Sequence, residues 1–327
     1  MKRCAIELRE IAEWHSVMHA ARLAARGKRE REPVKRFFST LEQSVSLVQS
    51  ALLQARLPRG EFTRFIINDP KRREIHAAPF ADRVAHHAII SKLGPPLDKW
   101  QPDTSFACRE GKGVHAAAKY AQRQCRRAPV YIKLDISGYF QHIDHRILQS
   151  ILARRLQGEC LKLVSSVLQC FNDSNGKGLP IGALTSQHFA NTYLVLADRW
   201  AMAQPETVAH CRYMDDTVLW CHSLADARKL VAGYREYVGD ELALVPKQAV
   251  IQRSAQGLGF CGLRIFPNRI HAGRRRLRRF VARLRYWERA WERGAISDLD
   301  LQRNSQACLA SLLPADTLRW RQRQFGV

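Results

Sequence analysis

Asp135, Asp215 and Asp216 are the residues best placed to do chemistry in this 327-residue chain. Asp135 lies near the end of the run Pro129 to Ile136, in which Val130, Ile132, Leu134 and Ile136 face one way and Tyr131, Lys133 and Asp135 the other. Asp215 and Asp216 stand between two apolar runs, Cys211 to Met214 and Thr217 to Cys221, which read as a hairpin over 209–221 with the acidic pair at its turn. A turn offers neighbouring side chains to solvent, and flanking strands hold it still. Carboxylates are hard oxygen ligands suited to magnesium, which uses few of them. Two such ions roughly 3.5–4 Å apart stabilise the attacking and leaving oxygens of a phosphoryl transfer. Three carboxylates gathered together would repel one another without a cation. Asp-Asp is also a common turn pair, so either element alone says little. The full tetrapeptide Tyr213-Met214-Asp215-Asp216 says more: a specified tetrapeptide occurs by chance in about one chain in 500 of this length.

The elements that must position these residues follow from periodicity. Residues 5–57 read as helix, broken by a basic run from Arg26 to Arg36 that reads as an exposed loop. Phe62 to Ile67 is strand-like, Asn68-Asp69-Pro70 signals a turn, and 79–93 resumes a helical pattern. Asp144 suits the N-cap of a helix over about 145–157. A second helix is expected from about Thr185 to Trp200, a third over 224–242, and a glycine-punctuated strand from Gly257 to Ile265. From Gly273 the chain becomes an arginine-rich helix in which Phe280, Leu284, Tyr286 and Trp287 are interleaved. One face of that helix is expected to pack and the other, with Arg275 and Arg279, to touch phosphate.

Composition narrows the partners. Lys and Arg number 53 against 30 Asp and Glu, a net charge of +23 that calls for a polyanion. No run approaches the length needed to span a bilayer, and the N-terminus lacks an apolar signal core. A cytoplasmic protein without membrane contact is expected. The nine cysteines form no Cys-x-x-Cys pair, so they read as reduced thiols rather than a zinc site.

Tyr213-Met214-Asp215-Asp216 matches the catalytic box of reverse transcriptases, and further motifs follow in family order from about residue 60 to 266. Lys71 and Arg73, ahead of Ala78 to Arg83, resemble the fingers motif that grips the incoming triphosphate. Ser105 to Arg109 with Gly111 and Gly113 resembles the next fingers motif. Lys133 to Phe140 resembles the first catalytic palm motif, and Gly182 to Gln187 the motif against nucleotide and template. Lys247 resembles the lysine after the catalytic hairpin, and Gly259-Phe260-Cys261-Gly262 the primer-grip turn.

The resemblance implies an α+β right hand: fingers from 1–130 and 146–176, palm from 131–145 and 177–266, thumb from 267–327. It implies that Asp135, Asp215 and Asp216, with the Ile136 carbonyl, hold two magnesium ions, with manganese as a substitute. Lys71, Arg73, Phe140, Gly182, Gln187 and Lys247 are then expected at the nucleotide. Ile181, Tyr213, Met214, Gly259, Gly262, Arg275 and Arg279 are expected at template and primer. The Phe140 ring would block a ribose 2′-hydroxyl. Partners are an RNA template, a DNA or RNA primer, and dNTPs. With the thumb reaching residue 327, template removal and DNA nicking are expected from other proteins.

The motif Ile181-Gly182-Ala183-Leu184-Thr185-Ser186-Gln187 departs from the Gln-Gly-x-x-x-Ser-Pro of most members. It resembles the bacterial or phage-encoded enzymes of diversity-generating retroelements, which copy a template-repeat RNA with errors at adenines for mutagenic retrohoming, alongside an accessory variability protein. A group II intron-like or retron-like reverse transcriptase is the alternative. So is a palm-derived RNA-binding protein without catalysis, against which the retention of all three carboxylates argues.

Overall fold

The computed structural model describes residues 3–68, 72–171 and 176–325. They form two compact units, one of residues 1–103, 136–200 and 234–247, the other of 104–135, 201–233 and 248–327. The chain is α+β, and its paired strands are antiparallel except for a short parallel pair, Cys4–Ala5 with Leu156–Gln157.

The first unit is built round the helix Phe80–Asp98, whose buried residues lie on every side of it. A helix apolar all round belongs inside. The helices Trp14–Ala25 and Leu184–Tyr193 pack against it. Trp14–Ala25 buries Val17, Ala20, Ala21 and Ala24, a stripe of mostly small residues at helical spacing. The hairpin of Thr63–Ile67 with Arg73–Ala77 extends from this unit in antiparallel register. Asp144 caps the helix His145–Ala153 as expected, its Oδ1 accepting the Arg146 and Ile147 N–H groups.

The second unit carries a four-stranded antiparallel sheet in the order Ala209–Tyr213, Asp216–Cys221, Val130–Leu134, Val250–Arg253. The helix Val114–Arg127 lays Ala117, Ala118 and Ala121 into a core with Tyr131, Cys211, Val218 and Trp220. A smaller sheet of Leu258–Phe260, Leu263–Ile265 and Ile270–Ala272 completes that core. The arginine-rich helix, Arg274–Glu292, pairs with Asp298–Ala310 through Phe280, Cys308 and Leu312.

Several expectations shift. The basic run is not all loop: Pro33 sits in the first turn of a helix, Glu32–Ser39, where its missing N–H costs nothing. The helix expected over 185–200 is two, Leu184–Tyr193 and Val195–Ala203. Tyr131 is buried, because a second layer covers that side of its strand and its hydroxyl finds Gln252 and the Gly257 carbonyl. On the arginine helix Leu284 and Trp287 pack, whereas Tyr286 is exposed and lies edge-on to Trp287.

Candidate active site

The carboxylates sit at one end of the four-stranded sheet. Leu134 pairs with Thr217, so Asp135 leaves its strand level with Asp216 on the neighbouring one. Tyr213 pairs with Asp216, which makes Met214 and Asp215 the two residues of the turn. The turn therefore lies one residue earlier than the acidic pair suggested, and Asp216 is the first residue of its strand. Asp135, Asp215 and Asp216 are all half-buried. Their oxygens are the hard donors magnesium prefers. Among the described residues, no three His, Cys, Asp or Glu side chains gather closely enough to hold a metal ion by themselves.

Two neighbours to which the motifs gave no role shape this end of the sheet. Lys133, two residues before Asp135 on the same face of the strand, places Nζ 3.2 Å from Asp216 Oδ1. Arg212 is fully buried, and its Nη1 donates to the Met214 carbonyl at 3.0 Å. Its backbone is framed as well: its N–H donates to Thr104 and its carbonyl accepts from Phe106. Met214 has φ 57, the left-handed region that a long side chain enters at a cost. The signal for Arg212 was present in the sequence as a charged residue inside an apolar strand; only burial reveals what it does.

The turn Cys261-Gly262 belongs to the same unit. Burial pushes the Cys261 thiol up to about 12, and the Asp216 carboxylate pushes the same way. This cysteine is a neutral thiol beside the acidic end of the sheet. Cys108 donates its thiol to Met214 Sδ at 3.9 Å. Gly262, Arg275 and Arg279 line a cavity of about 800 Å³ together with Arg264 and Arg283. The expected phosphate-facing arginines and the primer-grip turn thus share one basic surface. Gly259 lies next to it on the strand Leu258–Phe260.

The remaining expected residues belong to the first unit. Arg73 opens its strand and is exposed; Lys71 lies outside the described residues. The Ile181 carbonyl accepts from the His76 N–H at 2.9 Å, joining the nucleotide-motif loop to the strand that Arg73 begins. Gly182, at φ +121, brings its Cα so close that an added Cβ would stand 3.1 Å from the His76 carbonyl. Gln187 is half-buried on the helix Leu184–Tyr193. Phe140 is half-buried on the short helix Tyr139–His142, and its carbonyl accepts from Leu179. Ile136 is buried and bridges to Pro246, with exposed Lys247 next along the chain. The first unit therefore brings Ile181 and Gly182 against His76, on the strand that Arg73 opens, and Ile136 against Pro246.

A family model described as reverse transcriptase (RNA-dependent DNA polymerase) matches residues 68–247. Among curated proteins, the group II intron-encoded protein LtrA of Lactococcus lactis subsp. cremoris is 25% identical over 142 residues, 41% of this chain and 24% of LtrA. The LtrA of strain MG1363 gives the same values. The chain thus spans about a quarter of the length of these relatives.

Proposed function

Because this chain belongs to the reverse transcriptase (RNA-dependent DNA polymerase) family, we propose that it extends a DNA or RNA primer along an RNA template with dNTPs. The observation that supports this is the strand register, which sets Asp135 level with Asp216 on the neighbouring strand and leaves Asp215 in the turn beside it. Asp135 and Asp215, with the Ile136 carbonyl, would hold two magnesium or manganese ions, and Asp216 would support them. Bound there, the ions supply positive charge to the attacking and leaving oxygens. Phe140 screens against a ribose 2′-hydroxyl, Arg73 and Lys71 hold the triphosphate, and Gly182 and Gln187 lie at the nucleotide. Lys247 gives a proton to the departing pyrophosphate. Tyr213, Met214, Gly259 and Gly262 position the primer end, and Arg275 and Arg279 hold backbone phosphates. Fingers, palm and thumb take the ranges that the resemblance implies. Primer extension on an RNA template with magnesium, beside Asp215→Asn, is the direct experiment; equal product from both proteins would end the proposal.

Within this reading, the chain copies a template-repeat RNA with errors at adenines, as part of a diversity-generating retroelement that includes an accessory variability protein. Ile181 and Gln187 support that role, since an apolar residue near the template loosens polar control of base choice. Sequencing extension products of wild type and Ile181→Gln opposite adenine tests it, and identical error spectra would count against it. A group II intron-like role is the second reading, favoured by the similarity to LtrA.

A further inference from the structure

Lys133 is a cation in a strand, Val130–Leu134, whose other residues are aliphatic or aromatic. That strand has Asp216–Cys221 on one side and Val250–Arg253 on the other. Partners across a strand pair share a face, so Lys133 stands with Val218, and Tyr131 with Trp220. Tyr131, Val218 and Trp220 are buried in the core that the helix Val114–Arg127 covers. Lys133 therefore marks the place where the covered face gives way to the carboxylates. An ammonium at the edge of an apolar layer must reach water or an acid. This one reaches Asp216 Oδ1, at 3.2 Å.

The register explains why that acid is chosen. Asp216 is the diagonal neighbour of Lys133, and one residue past the strand Asp135 comes level with it. Like charges directly opposite each other destabilise a strand pair, whereas diagonal neighbours, roughly 7–8 Å apart, are within reach of a long side chain. Lys133 thus gives its ammonium to the acid that faces another acid. Lys133 and Asp216 keep 29% and 34% of their side-chain surface exposed. A pair this open adds little to stability, and an arriving ion has access to it. The Cys261 thiol feels both partners, raised by Asp216 and lowered by Lys133, which sets the pair against the turn Cys261-Gly262.

We infer that Lys133 is a positioning residue, a resident counter-cation that holds Asp216 and limits how tightly the carboxylates take a divalent cation. The inference rests on the two-metal reading above. With Asp216 neutralised, Asp135 and Asp215 are the charge the site offers, in keeping with the one or two carboxylates by which magnesium is usually held. Such a site fills well only when substrate phosphates add their oxygens, so Lys133 ties loading to the nucleotide. Before loading, Lys133 relieves the repulsion among the acids. Lysine suits the task, because a compact ammonium on a flexible stem moves aside more readily than a guanidinium fork.

The experiment measures manganese binding to the full chain without nucleic acid or nucleotide, from the electron paramagnetic resonance signal of the free ion. Lys133→Met should bind manganese about tenfold more tightly than wild type, since a unit charge beside a divalent ion has gone. Its thermal midpoint should be lower without metal and should rise further when magnesium is added. Lys133→Arg keeps the charge and should stay near the wild-type affinity. Lys133→Met/Asp216→Asn should also return to wild-type affinity, because the pair then leaves as a neutral unit. Weaker binding by that double variant would show Asp216 to be a ligand that Lys133 does not restrain, and would overturn the inference. So would equal affinities in wild type and Lys133→Met, the result that a merely structural lysine gives; the two-metal reading would survive it. Manganese binding untouched by Asp215→Asn would place the ion elsewhere and sink that reading itself.

Discussion

Two tight turns in the second unit are built alike and used differently. Met214-Asp215 and Cys261-Gly262 each close a hairpin over two residues, with Tyr213 paired to Asp216 and Phe260 to Leu263. Each puts a non-glycine residue at positive φ, 57 for Met214 and 51 for Cys261. Each has an arginine donating to the carbonyl of that residue, Arg212 at 3.0 Å and Arg276 at 3.1 Å. At Cys261-Gly262 the second residue is also at positive φ, and it is a glycine, so the turn suits the strand twist at little cost. At Met214-Asp215 the second residue is an aspartate outside that region, and the arginine beneath is fully buried. The first turn is held by its own backbone preference; the second is held from below, which leaves its outer face for carboxylates.

The largest expected effect is chemical. Asp215→Asn should lower primer extension at least ~100-fold, since it removes a charge from where metal would bind, worth several kcal/mol in the transition state. The thermal midpoint should barely move, because asparagine has the shape of aspartate and the turn is only half-buried. A large drop in midpoint would mean that the acidic turn is structural, and the contrast between the turns would fail.

Next comes the arginine beneath each turn. Arg212→Met leaves the Met214 carbonyl unpaired inside the protein and should cost about 3 kcal/mol in urea unfolding. Arg276→Met, at a half-buried site, should cost about 1 kcal/mol. Equal losses would show that both turns lean on their arginines to the same degree.

Most of this arrangement was legible beforehand, for a physical reason. Alternation at 130–136 and 209–221 gave the strands because side-chain period alone decides which face of a strand is covered. Asp144 as a cap and the helix after Gly273 follow from local chemistry in the same way. What failed was set by partners distant in sequence. Tyr131 is buried because residues 114–127 and 258–270 cover it, and nothing local says so. The turn slipped by one residue because pairing register, rather than the preference of aspartate for turns, decides which residues bend. Arg212 and the Lys133–Asp216 pair were visible as residues and invisible as contacts. The run Arg26 to Arg36 was read as an exposed basic loop, and that Lys28 lies beside Arg83 depends on segments far apart in sequence.

A smaller effect separates the turns by pH. The Cys261 thiol is raised from 9 to about 12, so the folded protein keeps a proton that the unfolded chain releases first. Its contribution to stability is complete below about pH 9 and declines as pH rises toward 12, by at most ~1.4 kcal/mol per unit. Wild type should therefore lose stability faster than Cys261→Ala between about pH 9 and 11, with the two curves parallel below that window. Parallel curves throughout would mean that neither burial nor Asp216 raises this thiol.

The finest test exchanges the strained residues themselves. Met214→Gly removes a cost of about 1–2 kcal/mol for a side chain at positive φ and adds about 0.5–1 kcal/mol of chain entropy. Cys261→Gly makes the same exchange, so both variants should stay within about 1 kcal/mol of wild type in urea unfolding. Their activities should part. Glycine at 214 frees the backbone that aims Asp215, so extension should slow several-fold with the midpoint held or raised. Glycine at 261 joins a glycine already present, and the carboxylates keep their support from Arg212 and Lys133. Measured side by side, a slower and no less stable Met214→Gly would identify the strain at that turn as the means of holding Asp215 in place. Equal activities would show that Arg212 alone suffices, and the left-handed methionine would then be a by-product of a two-residue turn.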